Sequence, residues 1–456
     1  MSRLKPYEKY NSVNYDYVSQ LPIGWELLPN IAIFQERKEK GGIKMETLSV
    51  SAIKGIVKAS DYDDRKDRTS DDKSEYLIVH EGDIPYNTML MWAGAVGRSE
   101  YKGIVSPAYT VLQPKSKVKI NTKYFHYMFR SQYYKNYSKR FSYGIVDSRL
   151  RLYYTYFKRM YSIVPPLETQ NAIVNYLDRK TQQIQEFIQK KERLIELLEE
   201  KKDKQITNAI SKGVLQNIEF KDTGEVWLNE IPKHWEFKAL KHYVRLNVAS
   251  ITERTNPNYL LKYIDIGNVT FSGLLNEPEE MIFAIAPSRA RRIVNSGDTI
   301  LSTVRTYLKA IAFFEKAEEN LIASTGFAVL SPKRQIIPKY LKYLLSSSYF
   351  LHKVNFWAIG VNYPSINNDR LMAIKVAIPP TLKEQKEIIE FIEMGLEKYN
   401  KTISKAQLEI EKAKEYQESL ITQVVSGQLK VPEKAYPNVH YKEFDMVAEQ
   451  GSSYHT

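Results

Sequence analysis

The sequence predicts an α+β protein: two similar globular mixed α/β units in a pseudo-two-fold arrangement, joined by two long antiparallel coiled-coil-like helices. Three observations predict it. The 456-residue chain repeats itself, each repeat closes in a long heptad-patterned stretch, and each opens in short apolar runs bounded by turn residues.

The repeat is read from landmarks in the same order. Leu21-Pro22-Ile23-Gly24-Trp25-Glu26 returns as Ile231-Pro232-Lys233-His234-Trp235-Glu236, with the tryptophans 235 − 25 = 210 residues apart. Gly82-Asp83 returns as Gly297-Asp298, an offset of 215, and Ile163-Val164-Pro165-Pro166 as Ala377-Ile378-Pro379-Pro380, an offset of 214. Gln170 answers to Gln385 and Ser211 to Ser426, both 215 apart. These landmarks divide the chain into a first globular unit (1–163), a first long helix (164–216), a linker and second unit (217–377), a second long helix (378–430) and a tail (431–456). Asn217-Ile218-Glu219-Phe220-Lys221-Asp222 recurs in the tail as Asn438-Val439-His440-Tyr441-Lys442-Glu443, as if the two copies closed a ring.

The helices are the clearest local signal. Ile392, Leu396, Tyr399, Ile403, Ala406, Ile410, Ala413, Gln417, Leu420 and Val424 follow a 4-3-4-3 spacing without a slip, a heptad seam. Subtracting 215 gives Leu177, Thr181, Ile184, Ile188, Lys191, Ile195, Leu198, Lys202, Gln205 and Ala209, the same register interrupted by Lys191, Lys202 and Gln205. Apart from Gly395 neither stretch contains an internal helix breaker, and they stop at Gly213 and Gly427. Each stripe needs a cover, and the economical one is the other stripe.

Within the units, Tyr76–Val79 runs into the Gly82-Asp83 turn and Arg292–Val294 into the Gly297-Asp298 turn. Apolar runs follow at Ala108–Leu112 and Gly326–Leu330, and helical patterns at Tyr124–Tyr134 and Tyr340–Phe350.

Composition bounds the chemistry. There is no cysteine, which excludes disulfides, thiolate metal sites and a cysteine nucleophile, and fits a cytoplasmic address. No apolar run approaches a membrane span, and the first residues lack the apolar core of a secretory signal. The phosphate-loop, dinucleotide and zinc-protease patterns are absent, as is a methyltransferase Asn/Asp-Pro-Pro-aromatic loop. Asp63-Asp64 and Asp71-Asp72 lie in a run with Arg65, Lys66, Arg68 and Lys73 and read as a solvated loop rather than a metal site. Catalytic and metal residues are therefore expected to be none.

A binding constellation remains. The net charge of +13 points to an anionic partner, most simply nucleic acid. Arg65 and Arg68 precede the first Gly-Asp turn, and Tyr86, Asn87, Trp92 and Arg98 follow it; Ser142, Tyr143, Arg149 and Arg151 stand before the first Pro-Pro. In the second copy Arg289 and Arg292 precede the turn, Ser302, Arg305, Tyr307 and Lys309 follow it, and Asn362 and Tyr363 stand before Pro-Pro. Arginine and lysine neutralise phosphates, and arginine and asparagine make bidentate bonds to base edges.

These residues carry a resemblance. The Pro-x-x-Trp-Glu openings, the segment Val164-Pro165-Pro166-Leu167-Glu168-Thr169-Gln170 and its counterpart Ile378-Pro379-Pro380-Thr381-Leu382-Lys383-Glu384-Gln385 look like the specificity (S) subunit of Type I restriction-modification systems. The resemblance covers nearly the whole chain; the second motif has one extra residue after Pro-Pro. It implies a non-catalytic subunit whose units are target recognition domains, each reading half of a bipartite, asymmetric double-stranded DNA target. It further implies helices that set the spacing and dock two modification (methyltransferase) subunits, joined by restriction (motor-nuclease) subunits. S-adenosylmethionine is then expected on the modification subunit, and Mg²⁺ and ATP on the restriction subunit. The rival readings are a free-standing DNA-modifying or DNA-cleaving enzyme on an unrecognised motif, and a coiled-coil scaffold.

Overall fold

Short β-rich runs broken by glycine and proline form strands of two to six residues, nearly all antiparallel, and the Lys/Glu-rich heptad stretches form helices. The computed structural model describes residues 4–15, 17–41, 44–61, 72–144, 150–271 and 273–435. It holds two compact units, Met1–Lys190 with Leu408–Thr456, and Lys191–Gln407. The mixed α/β class expected from the sequence is the one observed. Asp63, Asp64, Asp71 and the recurrence at Asn438–Glu443 lie outside the described residues.

In the first unit a hairpin of Tyr10–Tyr15 and Val18–Pro22 leads to Glu26–Pro29, which pairs with Tyr161–Val164 just before Pro-Pro. The central sheet has Tyr109–Pro114 between Phe34–Arg37 and Ile84–Asn87. Two ribbons, Leu48–Ser51 with Gly55–Lys58 and Leu77–Val79 with Gly103–Val105, flank it. The second unit repeats the plan with Phe220–Glu225 and Leu228–Pro232, then Glu236–Ala239 on Lys375–Ile378. Its central sheet runs Val244–Leu246, Phe327–Pro332, Thr299–Ser302, Ile311–Phe313. Where the first unit has ribbons, the second has another four-stranded sheet, with one parallel pair between Leu260–Ile264 and Leu321–Ser324.

The helical pattern expected over Tyr124–Tyr134 is two helices, Thr122–Arg130 and Gln132–Phe141. Ser131 breaks it: its extended backbone leaves the helix, its Oγ donates to Met128 O and accepts from Tyr134 N. Ser347 does the same between Pro338–Ser346 and Ser348–Trp357.

The long helices span Leu167–Lys212 and Leu382–Val425, the first 46 residues, or about 69 Å at 1.5 Å per residue. The seam is legible in their burial. From Leu177 to Ala209 and from Ile392 to Val424 every seam position is buried or half-buried, Lys191, Lys202 and Gln205 included. In the first unit the start of the first helix (Ala172, Ile173, Leu177) shares a core with the end of the second (Leu420, Val424, Val425). In the second unit the end of the first helix (Ile206, Ala209, Ile210) shares a core with the start of the second (Ile388, Ile389, Ile392). Gly395 is explained there, because Gln205 donates to Phe391 O at 3.0 Å and a Cβ at 395 would collide with its amide.

The landmark motifs are structural clips. Gln170 Oε1 accepts from Asn121 N and its Nε2 donates to Pro165 O, at 2.9 and 2.8 Å. Gln385 repeats this with Ile337 N and Pro379 O. Each glutamine is buried, so it satisfies backbone groups that the Pro-Pro turn would otherwise orphan. Trp235 packs beside Gly213 at the end of the first helix, and its indole donates to the buried Glu384 carboxylate at 2.8 Å. Trp25 packs beside Gly427 at the end of the second. Lys430 N donates to Lys5 O, so residues near the two ends of the chain pair within the first unit.

Candidate nucleic-acid interface

Each Gly-Asp turn starts the frame. Gly82 and Gly297 share a left-handed φ of 88°. Asp83 Oδ2 accepts from His80 N and Asp298 Oδ2 from Asn295 N, both at 2.8 Å. After the turn, Ile84–Asn87 and Thr299–Ser302 run through their sheets, and each strand leads to a one-turn 3-10 helix, Met91–Ala93 or Thr306–Leu308. The residue closing that turn has a left-handed backbone in both units: Gly94 at φ 89° and Lys309 at φ 52°.

A second loop is tied to the first in the same way twice. Leu152 N donates to Thr88 O at 2.8 Å in one unit, and Ile366 N to Thr303 O at 2.9 Å in the other. Just upstream, Tyr143 pairs with Arg151 and Ile359 with Ser365 as isolated antiparallel bridges. The loop after the Gly-Asp strand and the loop before Pro-Pro therefore meet in both units, as their clustering in sequence implied.

The residues at the tips differ. In the first unit Trp92 is half-buried, its Nε1 donates to Met89 O at 3.0 Å, and Lys139 lies over its ring at 5.5 Å. Arg98 is engaged by Glu100, Glu81 and Thr122. Tyr143 and Arg151 are exposed, and Ser142 donates its hydroxyl to Ser138 O. Asn87 is buried and its Oδ1 accepts from Met89 N. Arg65, Arg68 and Arg149 lie outside the described residues. In the second unit Arg289, Arg305, Tyr307, Lys309, Asn362 and Tyr363 are all exposed, and the Arg305 guanidinium lies over the Tyr363 ring at 4.8 Å. Arg289 O accepts from Thr325 N, next to Gly326, whose carbonyl accepts from Thr303.

Tyr86 and Ser302, like Asn87, stand inside rather than at the surface. Tyr86 is 0% exposed against Phe157, and burial pushes its phenol pKa far up; Ser302 is 2% exposed and donates to Val304 O. Every residue of Ile84–Asn87 and of Thr299–Ser302 is buried, so both side chains stand in the core and are not carried into the interface proposed below. Arg292 is half-buried in Ala290–Ile293, where desolvation lowers its pKa and its Nη1 has no partner among the described residues.

The sequence reading missed what lies beneath the first unit's loops. Arg130 Nη1 donates to the carbonyls of Ser51, Gly94 and Val96, and its Nη2 to those of Ala52 and Ile53, at 2.8–3.2 Å. It joins the turn between Leu48–Ser51 and Gly55–Lys58 to the Trp92 loop. Beside it His126 Nδ1 accepts from Arg98 N, and burial with Arg130, Lys123 and Arg98 nearby pushes the imidazole down to about 3. Backbone acceptors carry no residue signature, so no pattern marks Arg130 in advance. Among the described residues no group of histidines and carboxylates is arranged to hold a metal, and no helix is long and apolar enough to cross a membrane.

Comparison with known proteins adds the following. Residues 232–412 match the family described as the Type I restriction modification DNA specificity domain. Among curated proteins none matches the chain. A structure reported under complex assembly and conformational transition of the type I R-M system is similar over 90% of this chain and 99% of its own, with a TM-score of 0.66 and 14% identity. The HsdS subunit from Thermoanaerobacter tengcongensis is similar over 90% of this chain and 98% of its own, with a TM-score of 0.50 and 16% identity. At these identities the likeness is one of fold.

Proposed function

The chain belongs, through residues 232–412, to the Type I restriction modification DNA specificity family, and from that premise we propose that its two units each read one half of an asymmetric, bipartite double-stranded DNA target. It is a DNA-specificity subunit of a Type I restriction-modification system. The observation that carries the two-half-site reading is the doubled frame. The same Gly-Asp strand, 3-10 turn and tied loop occur in both units, with Trp92, Tyr143 and Arg151 on one and Arg305, Lys309 and Tyr363 on the other. Equal frames with unequal tips fit unequal half-sites, whereas a symmetric dimer reads a palindrome.

Mapping methylated sites in a host carrying the system tests it: two different half-sites separated by a fixed gap are expected. A single palindromic motif would overturn it. In gel shifts with the modification subunit, affinity falls as salt rises, because bound phosphates release counterions.

The partners in this proposal are two modification (methyltransferase) subunits, joined by restriction subunits. S-adenosylmethionine belongs to the former and Mg²⁺ and ATP to the latter; no site for them is assigned to this chain, which acts in the cytoplasm without catalysis of its own. Purified chain incubated with DNA, Mg²⁺ and S-adenosylmethionine should neither cut nor methylate; turnover would favour a free-standing enzyme instead. A scaffold without DNA function would leave methylation untouched when Arg305 or Arg151 is replaced.

A further inference from the structure

We propose that Arg305 reads a guanine: its guanidinium, held over the Tyr363 ring, offers two donors to the O6 and N7 of one guanine in the half-site bound by the second unit. This rests on the DNA-reading assignment above and goes further, naming the residue, the base and the half-site.

The first argument is backbone geometry. Among the described residues four that are not glycine have a positive φ: Asn217, Asn247, Arg305 and Lys309. Asparagine tolerates the left-handed region, while arginine and lysine are strained there. Two of the four bracket a single 3-10 turn, with Arg305 at φ 49°, ψ 49° and Lys309 at φ 52°. That turn is closed by Leu308 N on Arg305 O at 2.9 Å and anchored by the buried Thr306. A glycine would relieve the strain at 305, so the side chain is the reason to keep it.

The second argument is how that side chain is held. Tyr363, 64% exposed, lies under the guanidinium at 4.8 Å. Its loop is bound to the neighbour of Arg305, because Ser365 bridges both Val304 and Ile359. Ring and guanidinium are thus set by one small network. The contact with the ring is cation–π and uses none of the guanidinium N–H groups in a hydrogen bond to a neighbour.

The third argument is its vacancy. Arg37 is paired with Asp83, Arg98 with Glu100 and Arg291 with Glu253, but Arg305 has no hydrogen-bond or ion-pair partner among the described residues. A planar, unspent donor pair on a side chain restrained by a ring matches two adjacent acceptors. In the major groove guanine presents that pair, adenine presents one acceptor beside a donor, and thymine and cytosine present a single acceptor and a single donor. A phosphate would also accept two bonds, but it does not need a side chain restrained over a ring, and exposed Lys309 and Arg289 stand in the same unit to meet the backbone. In the first unit the equivalent position, 305 − 215 = 90, is Leu90, with an ordinary φ of −129°. The guanine reader is therefore a property of one half-site only.

Methylome sequencing of hosts carrying Arg305→Ala, Arg305→Lys, Tyr363→Phe and Tyr363→Ala in the intact system tests this. With Arg305→Ala, discrimination at one G·C position of the second half-site should drop by on the order of 10-fold or more, with the first half-site and the gap unchanged. Arg305→Lys, which keeps the charge and loses the fork, should relax the same position. Tyr363→Phe keeps the target and Tyr363→Ala partly relaxes that position. Methylation that falls at all sites with an unchanged consensus, or full discrimination with Arg305→Lys, would identify a phosphate contact and overturn the proposal while leaving DNA reading intact. Unchanged methylation and unchanged DNA affinity in every variant would instead count against the second unit as a DNA reader.

Discussion

The loop that follows the Gly-Asp strand is built twice, and the two versions place their arginines in opposite ways. In the first unit Arg130 lies under the loop and spends its guanidinium on five backbone carbonyls, while Arg98 is engaged by Glu81, Glu100 and Thr122. In the second unit the position matching Arg130, 130 + 216, is Ser346, whose hydroxyl turns back to Lys342 O. There the guanidinium stands on the outside, as Arg305 on Tyr363. One unit uses arginine to hold the shape of its loop and the other to present a donor pair. The charge of +13 is therefore not a count of phosphate contacts, since part of it is invested in scaffolding.

Arg130→Met breaks the comparison at its strongest point. Five carbonyls lose their donors, and even a fraction of that loss costs at least about 3 kcal/mol. The first half-site should be lost from the methylome while the second persists, and denaturant unfolding should show the destabilisation. Ser346→Ala should change neither readout.

Gln385→Leu attacks what the units share. It strips the partners from Ile337 N and Pro379 O at the start of the second helix, an expected cost of about 2 kcal/mol. Gln170→Leu should cost a similar amount, and thermal unfolding of the two variants checks that the clips are equivalent. A large disparity would show that the repeat is not energetically symmetric.

Acid separates the units next. His126, on Thr122–Arg130, is neutral in the fold with a pKa of about 3, and Arg130, Lys123 and Arg98 face it. The unfolded chain binds its proton near pH 6.5, so the contribution is complete above that pH and is lost as pH falls from about 6.5 toward 3. The slope is at most about 1.4 kcal/mol per pH unit. Lys342 occupies the matching place in the second unit, where burial lowers its pKa, so no imidazole stands there. His126→Gln should flatten the acid side of the stability profile.

The smallest effect runs the other way. Arg305→Gly removes the left-handed strain and should raise stability by about 0.5–1 kcal/mol while relaxing the second half-site. Calorimetry and methylome sequencing together read this opposition of stability and recognition.

Much of the architecture was legible beforehand, and for a common reason. Heptad spacing, Gly-Asp turns and Pro-Pro boundaries are local, so Ile392 to Val424 fall on the covered seam and Gly82 and Gly297 take the same φ. The interface was legible as a cluster but not residue by residue. Arg305 and Tyr363 meet at the surface, whereas Tyr86 and Ser302 are buried in the core. Both lie on strands whose every residue is buried, and that burial is set by packing between segments rather than by a local pattern. Arg130 and His126 went unread because their partners are backbone atoms and packing neighbours brought close by the fold.

What the sequence by itself determined is the plan: two copies, two long helices, a basic chain without cysteine, and frames whose tips differ. Periodicity and turn chemistry act over a few residues and are written in the order of the chain. Only the tertiary structure decided which cations are spent inside and which are left to meet a ligand. Arg130 and Arg305 are the same residue type, and no local sequence pattern tells their roles apart. Five carbonyls converge on one and a tyrosine ring slides under the other. That convergence depends on contacts between segments distant in sequence, which no local pattern encodes.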